Sequence, residues 1–356
     1  MSSLFLYCRP GFEGECAAEI QELAVAHGIS GYCKAKPESA FVIFQSHDPA
    51  AASRLYEEIP FAELIFTRQW FVVVSECNDL APTDRVTPLI KVLQTLPATV
   101  GAIFLETPDT NQGKELSALC RALERPLQEA LREAGHWQIP DGQESVRLHV
   151  CFMSGTAAYA GYAVPANSAP WPMGIPRLRF PRGAPSRSTL KLEEALLHFL
   201  TAEERERLLQ PGMSAVDLGA APGGWTWQLV RRHLRVIAVD NGALAPELLN
   251  SGVVEHVRVD GFRYQPPRPV DWMVCDIVEQ PIRIAELAAH WLERNWCTQT
   301  IFNLKLPMKK RYQEVRRCLA HIDVRLREAG IVYALACKQL YHDREEVTVY
   351  IHQRPA

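Results

Sequence analysis

Apolar and polar positions change period several times along the chain, and each change marks an element. Ser2 to Cys8 is an almost unbroken apolar run and predicts a strand. Glu13 to His27 repeats at helical spacing and stops at Gly28, and Ala40 to Gln45 predicts a further strand. These form one small α/β unit. A second follows, with strand Trp70 to Glu76, a helix near Asp84 to Leu96, strand Val100 to Glu106 and a long helix from Glu115 to Ala134. It closes on a hairpin, Val146 to Phe152 and Ala157 to Ala163, alternating with period two across Ser154 and Gly155.

Pro165 to Pro185 is rich in proline and arginine and holds no acidic residue, the composition of a linker. From Ser186 the pattern becomes a helix and then strands alternating with helices: AVDLG, RVIAVD, EHVRVD, DWMVCD, TIFNLKL, IVYALAC and EVTVYIH. Such alternation predicts a parallel sheet with helices on both faces and ligands at the carboxyl ends of its strands. The expected division is two small units over 1–60 and 61–165, a linker over 166–185 and an α/β domain over 186–356.

Composition narrows the function. The 356 residues are 47% hydrophobic and 22% charged, and no apolar run approaches the roughly 20 residues that span a bilayer. The N-terminal segment has neither a basic leader nor a long apolar core, so the expected location is cytoplasmic. Ten scattered cysteines without a CxxC pair predict reduced thiols and no metal. The net charge of −3 divides into −8 up to Pro170 and +5 beyond it, so attraction to a nucleic acid should come from the C-terminal half.

The most informative stretch is Asp217-Leu218-Gly219-Ala220-Ala221-Pro222-Gly223-Gly224-Trp225-Thr226, a strand end, a glycine-rich turn and a helix start. Small residues let a ligand approach the backbone, and the helix start offers free N–H groups. The spacing is not GxGxxG and no GK[ST] follows, which disfavours nicotinamide and triphosphate ligands. Instead Asp240, Asp260 and Asp276 each follow an apolar strand. Acceptors there suit ribose hydroxyls and an exocyclic amine. One such aspartate alone is as often a solvated strand end; three beside this loop are harder to dismiss.

DLGAAPGGWT resembles the cofactor loop of the FtsJ-like ribose 2′-O-methyltransferases, and YCRPGFEGECAAEI, SRSTLKLEEA, WMVCDIVEQP, FNLKLPMKKRY and YHDREEVTVY resemble the ribosomal RNA large subunit methyltransferase M family. The resemblance implies a Rossmann-like class I methyltransferase sheet preceded by ferredoxin-like and THUMP domains. It implies S-adenosylmethionine as cofactor and, as partner, 23S rRNA in free or early precursor form, with a cytidine ribose as target. Ser188, Asp217, Gly219, Ala221, Pro222, Gly223, Gly224, Trp225, Asp240, Asp260 and Asp276 are the implied cofactor residues.

A ribose hydroxyl is a poor nucleophile and must be oriented and relieved of its proton. Lys305 ends strand TIFNLKL on the same edge as Asp276, with Lys191 on the first helix and Glu346 opening the last strand. In the resembling family these positions form a Lys-Asp-Lys-Glu tetrad. Lys305 is then the general base, with a pKa expected to be lowered by burial and by Lys191, while Asp276 and Glu346 orient. Glu345 is the neighbouring alternative to Glu346. The bland reading makes Lys191, Glu193 and Glu194 an exposed helix face, and Lys305 the start of a basic surface with Lys309, Lys310 and Arg311; those three with Arg316 and Arg317 either follow RNA phosphates or form a solvated helix face. His342-Asp343 reads as a surface turn.

Other chemistries fit less well. No Pro-Cys pair offers the nucleophile of a cytosine C5 enzyme, and Asp276-Ile277-Val278-Glu279 is not the Asn/Asp-Pro-Pro-aromatic pattern of amine methylation. A non-catalytic RNA-binding assembly factor is opposed by the intact tetrad and loop, and a nucleotide-dependent oxidoreductase by the lack of GxGxxG.

Overall fold

The structure, a computed structural model, describes residues 3–93, 96, 98–138 and 145–354. Ser2 and positions 94 and 95 of the expected helix lie outside the described residues. The chain divides between Pro176 and Arg177 into two compact units.

The first unit begins with β1 (Ser3–Tyr7), α1 (Glu13–Ala26), β2 (Gly31–Ala35), β3 (Phe41–Ser46), α2 (Ala51–Glu58) and β4 (Gln69–Cys77). Its strands lie in the order β2-β3-β1-β4, each antiparallel to its neighbours, which is the ferredoxin-like split βαβ arrangement. The fourth strand of that arrangement is β4, which lies beyond the expected boundary at residue 60. The chain continues through α3 (Val86–Leu93), β5 (Val100–Glu106), α4 (Asn111–Glu115), α5 (Ser117–Glu133), β6 (Val146–Phe152) and β7 (Ala158–Ala163). Because β7 pairs with β4, all seven strands share one sheet, and no break in it corresponds to the expected division.

The proline-rich stretch is not a linker throughout. Ala169, Met173 and Ile175 are buried, Gln69 Nε2 donates to the Ala169 carbonyl at 2.8 Å, and Arg147 Nη1 donates to the same oxygen at 2.7 Å. Those bonds satisfy a backbone that proline has deprived of its regular partners.

The second unit holds α6 (Thr189–Phe199), α7 (Ala202–Leu208), β8 (Ser214–Leu218), α8 (Gly224–Val230), β9 (Arg235–Val239), α9 (Pro246–Leu249) and β10 (Val254–Val257). Then come β11 (Val270–Cys275), α10 (Pro281–Glu293), β12 (Cys297–Lys305), α11 (Arg311–Glu328), β13 (Tyr333–Lys338) and β14 (Glu346–Gln353). The order is β10-β9-β8-β11-β12-β14-β13, a Rossmann-like sheet whose order reverses between β8 and β11. Its strands are parallel except β14, which runs antiparallel to both β12 and β13 and so departs from the all-parallel expectation. Leu196, Trp225, Trp272, Ile301 and Tyr350 are buried together beneath α6 and α8 and hold those helices against the sheet.

No helix among the described residues is long and apolar enough to cross a membrane. All ten cysteines are free thiols, and nine of them are buried.

Candidate functional site

The glycine-rich turn leaves β8 at the reversal of strand order, where the sheet edge opens into a crevice. Gly219 and Gly223 take φ of 77° and 113°, a region in which a side chain is strained. Two adjoining cavities lie along this edge. One of about 600 Å³ is lined by Gly219, Ala221, Asp240, Asp260, Phe262 and Asp276. The other, of about 280 Å³, is lined by Ser186, Ser188, Ala221, Pro222, Trp225 and Asp276. Asp276 faces both.

Local bonds fix these side chains. Asp240 Oδ2 accepts from Ala221 N at 3.0 Å and Oδ1 accepts from Gly242 N at 2.7 Å, so the carboxylate is anchored and keeps lone pairs for further donors. Asp260 sits three residues beyond the end of β10, its side chain 52% exposed, and Oδ1 accepts from Phe262 N at 3.0 Å. Trp225 Nε1 donates to the Ser188 carbonyl at 3.0 Å. The Ser186 and Ser188 hydroxyls lie 2.7 Å apart against Gly224, where a Cβ would come within 2.4 and 2.2 Å of them. Gly223 and Gly224 shape the turn and line neither cavity.

Asp217 departs from expectation. It is 1% exposed and lines neither cavity, and Oδ2 accepts from Thr226 Oγ1 at 2.6 Å, tying β8 to α8. Burial pushes its pKa up to about 7, with Thr226 opposing the shift and Asp276 adding to it. Its position fits holding the turn together, not contact with a ligand.

Lys191, Asp276, Lys305 and Glu346 converge as expected in one cluster. Lys191 Nζ lies 3.3 Å from Asp276 Oδ2 and 2.5 Å from Glu346 Oε1, while Lys305 Nζ donates to both Asp276 Oδ1 and Glu346 Oε2. Strand register explains part of this, because Lys305 and Glu346 stand directly opposite each other in the β12/β14 pair. Glu346 is 5% exposed at its side chain, against 60% for Glu345, which turns outward to Arg311 at 2.7 Å. The geometry therefore places Glu346, and not its neighbour, in the cluster.

The electrostatics correct one expectation. Burial draws the Lys305 pKa down, but Asp276 and Glu346 outweigh it and hold the ammonium above its ordinary value. Asp276 is likewise opposed by burial, yet Lys305 and Lys191 hold its carboxyl below the usual range. In this arrangement Lys305 carries its proton.

Several contributors escaped the sequence reading. Asn303 Nδ2 donates to Asp276 Oδ1 at 3.0 Å, and Arg283 stacks over Phe262 at 4.6 Å beside the larger cavity. Glu194 is buried and accepts from Tyr341 N and His342 N at 2.7 and 2.8 Å, so it is no exposed helix face. Asp343, read as part of a surface turn, is fully buried. Of the basic run, Lys309 and Lys310 are exposed, whereas Arg311 and Arg317 are paired with Glu345 and Glu314.

Family models match three stretches: the RlmM ferredoxin-like domain at residues 1–71, the ribosomal RNA large subunit methyltransferase M N-terminal domain at 84–164, and FtsJ-like methyltransferase at 184–332. Ribosomal RNA large subunit methyltransferase M of Cellvibrio japonicus is 54% identical over 351 residues, covering 99% of both chains. The protein of that name from Methylococcus capsulatus is 54% identical over 350 residues, 98% of both. Among solved structures, TrmN from Thermus thermophilus aligns over 100% of both chains at 16% identity, with a TM-score of only 0.36. At half identity or better over nearly the whole length, with the glycine turn and carboxylate-lined crevice in place, the chain belongs to the ribosomal RNA large subunit methyltransferase M family.

Proposed function

We propose that this protein transfers a methyl group from S-adenosylmethionine to the ribose 2′-hydroxyl of a cytidine in 23S rRNA. The observation that carries the reading is the convergence of Lys191, Asp276, Lys305 and Glu346 beside two cavities that meet at Asp276. The larger cavity, with Asp240 and Asp260, suits the hydroxyls and base of a nucleoside; the smaller, with Ser186, Ser188 and Trp225, suits the amino-acid end. When bound, S-adenosylmethionine supplies an electrophilic methyl on a sulfonium centre. Trp225 gives that end a low-polarity wall.

Lys191 and Lys305 orient the hydroxyl, and Asp276 and Glu346 fix both ammonium groups. Lys305 takes the hydroxyl proton, for which its own must first pass to solvent, which reaches its 20%-exposed side chain. Any contact that draws Asp276 or Glu346 off the ammonium lowers its pKa in the needed direction. Ribosomal RNA as substrate rests on the relatives' names, and cytidine on the motif resemblance. Residues 1–165 serve as the ferredoxin-like and THUMP targeting part, reading RNA by shape and stacking despite their acidic balance.

Single-turnover methylation at saturating cofactor separates a base from a mere cation. Arginine keeps the charge but does not deprotonate, so Lys305→Arg should fail almost as badly as Lys305→Ala, by about 10²–10⁴ in rate. Cofactor affinity should hold in both. A Lys305→Arg variant that keeps most of its activity while Lys305→Ala loses it would make the role electrostatic.

A further inference from the structure

Behind the tetrad a line of buried polar groups runs from Asp276 to Asp343, and hydrogen-bond inventory decides which way each bond points. Asp276 is ionised, with both lysines on it, so it only accepts, and Asn303 must turn its Nδ2 toward Oδ1, at 3.0 Å. The Asn303 Oδ1 that this leaves on the other side stands 2.8 Å from Thr348 Oγ1 and needs a donor. Thr348 has a single hydroxyl hydrogen, and Asn303 takes it. Yet Thr348 Oγ1 also lies 3.1 and 3.0 Å from the two Asp343 oxygens. With its hydrogen committed, Thr348 can only accept there, and Asp343 Oδ2 already accepts from Leu340 N at 2.9 Å. A proton on Asp343 Oδ1 closes the chain of donors, because it supplies the hydrogen that the Thr348 contact otherwise lacks.

We propose that Asp343 is a neutral carboxylic acid acting as a positioning residue, which holds Asp276 in place through Thr348 and Asn303. The inference rests on the tetrad reading above. Charged groups that act on Asp343 include Glu346 on β14, and Glu194 and Lys191 on α6. Burial pushes its pKa well up, Glu346 and Glu194 add to the shift, and the Leu340 N–H bond and Lys191 oppose it. The consequence is mechanical. Asp276 meets both ammonium groups from a fixed direction, because the oxygen it offers Lys305 is also held from behind by Asn303.

Asparagine is the natural mimic of a protonated aspartate, since its Nδ2 donates to Thr348 and its oxygen accepts from Leu340 N. Single-turnover methylation, melting temperature and S-adenosylmethionine affinity are measured for Asp343→Asn, Asp343→Ala and Lys305→Ala in the full chain. Asp343→Asn should stay within about threefold of the unaltered protein, while Asp343→Ala falls about tenfold or more with cofactor affinity unchanged. Should Asp343→Ala not fold, Thr348→Ser and Thr348→Val put the same question one link along, with activity kept in the first and lost in the second. Equal loss in Asp343→Asn and Asp343→Ala, no loss in either, or equal rates for the two Thr348 variants would overturn the relay, given an inactive Lys305→Ala. An active Lys305→Ala would instead overturn the tetrad reading.

Discussion

Asp217 and Asp240 stand near the ends of neighbouring strands, β8 and β9, and burial gives them different duties. Asp240 opens onto the larger cavity with its oxygens anchored by two backbone N–H groups, whereas Asp217 is sealed under Thr226. Burial raises Asp217 from an ordinary 3.8 to about 7, so the folded protein keeps a proton there that the unfolded chain has released. Its contribution therefore favours the fold below the ordinary value and is lost as pH rises to about 7, a change on the order of a few kcal/mol. Asp217→Asn should flatten this slope. Denaturant unfolding at pH 5 and pH 8 checks it: the gap between the two pH values should shrink in the variant, and an unchanged gap would mean Asp217 stays ionised throughout. The family resemblance put Asp217 among the cofactor residues because it opens the glycine loop. Only the packing of α8 on β8 reveals that it faces inward.

At the scale of elements, α6 supplies two of the connections that organise the site. Lys191 reaches into the tetrad, and Glu194, one turn on, fastens the β13–β14 connection by accepting from Tyr341 N and His342 N. Glu194→Ala removes the buried carboxylate that accepts from both part-buried N–H groups, which should cost about 1–3 kcal/mol in denaturant unfolding. Unchanged stability would show that the connection is held by other means. Much of this unit was legible in advance, because each long apolar strand with a helix after it announces its own period. The direction of β14 was not, since an alternating apolar strand reads the same whichever way it runs. That direction matters, for the antiparallel register is what sets Glu346 opposite Lys305. In the first unit β2 escaped notice for a different reason: an edge strand carrying Lys34 and mostly half-buried or exposed positions has little apolar signal. The boundary at residue 60 misled because β4 belongs by sequence spacing to the elements after it and by pairing to β1 as well as β7.

Across the whole molecule, charge and chemistry coincide. The positive balance falls on the C-terminal half, which also carries the crevice and the tetrad, while the acidic first half matches the family's own N-terminal domains. Family membership makes methylation of ribosomal RNA the frame for the chemistry of that half, and a ribose oxygen as acceptor is the reading proposed for its site. The most direct measurement is mass spectrometric mapping of nucleosides along 23S rRNA from cells with the protein, without it, and with Lys305→Ala in its place. The account predicts one cytidine carrying a 2′-O-methyl group only when the unaltered protein is present. A methyl group found on the base instead, or a ribose-methylation pattern indifferent to the protein, would contradict it.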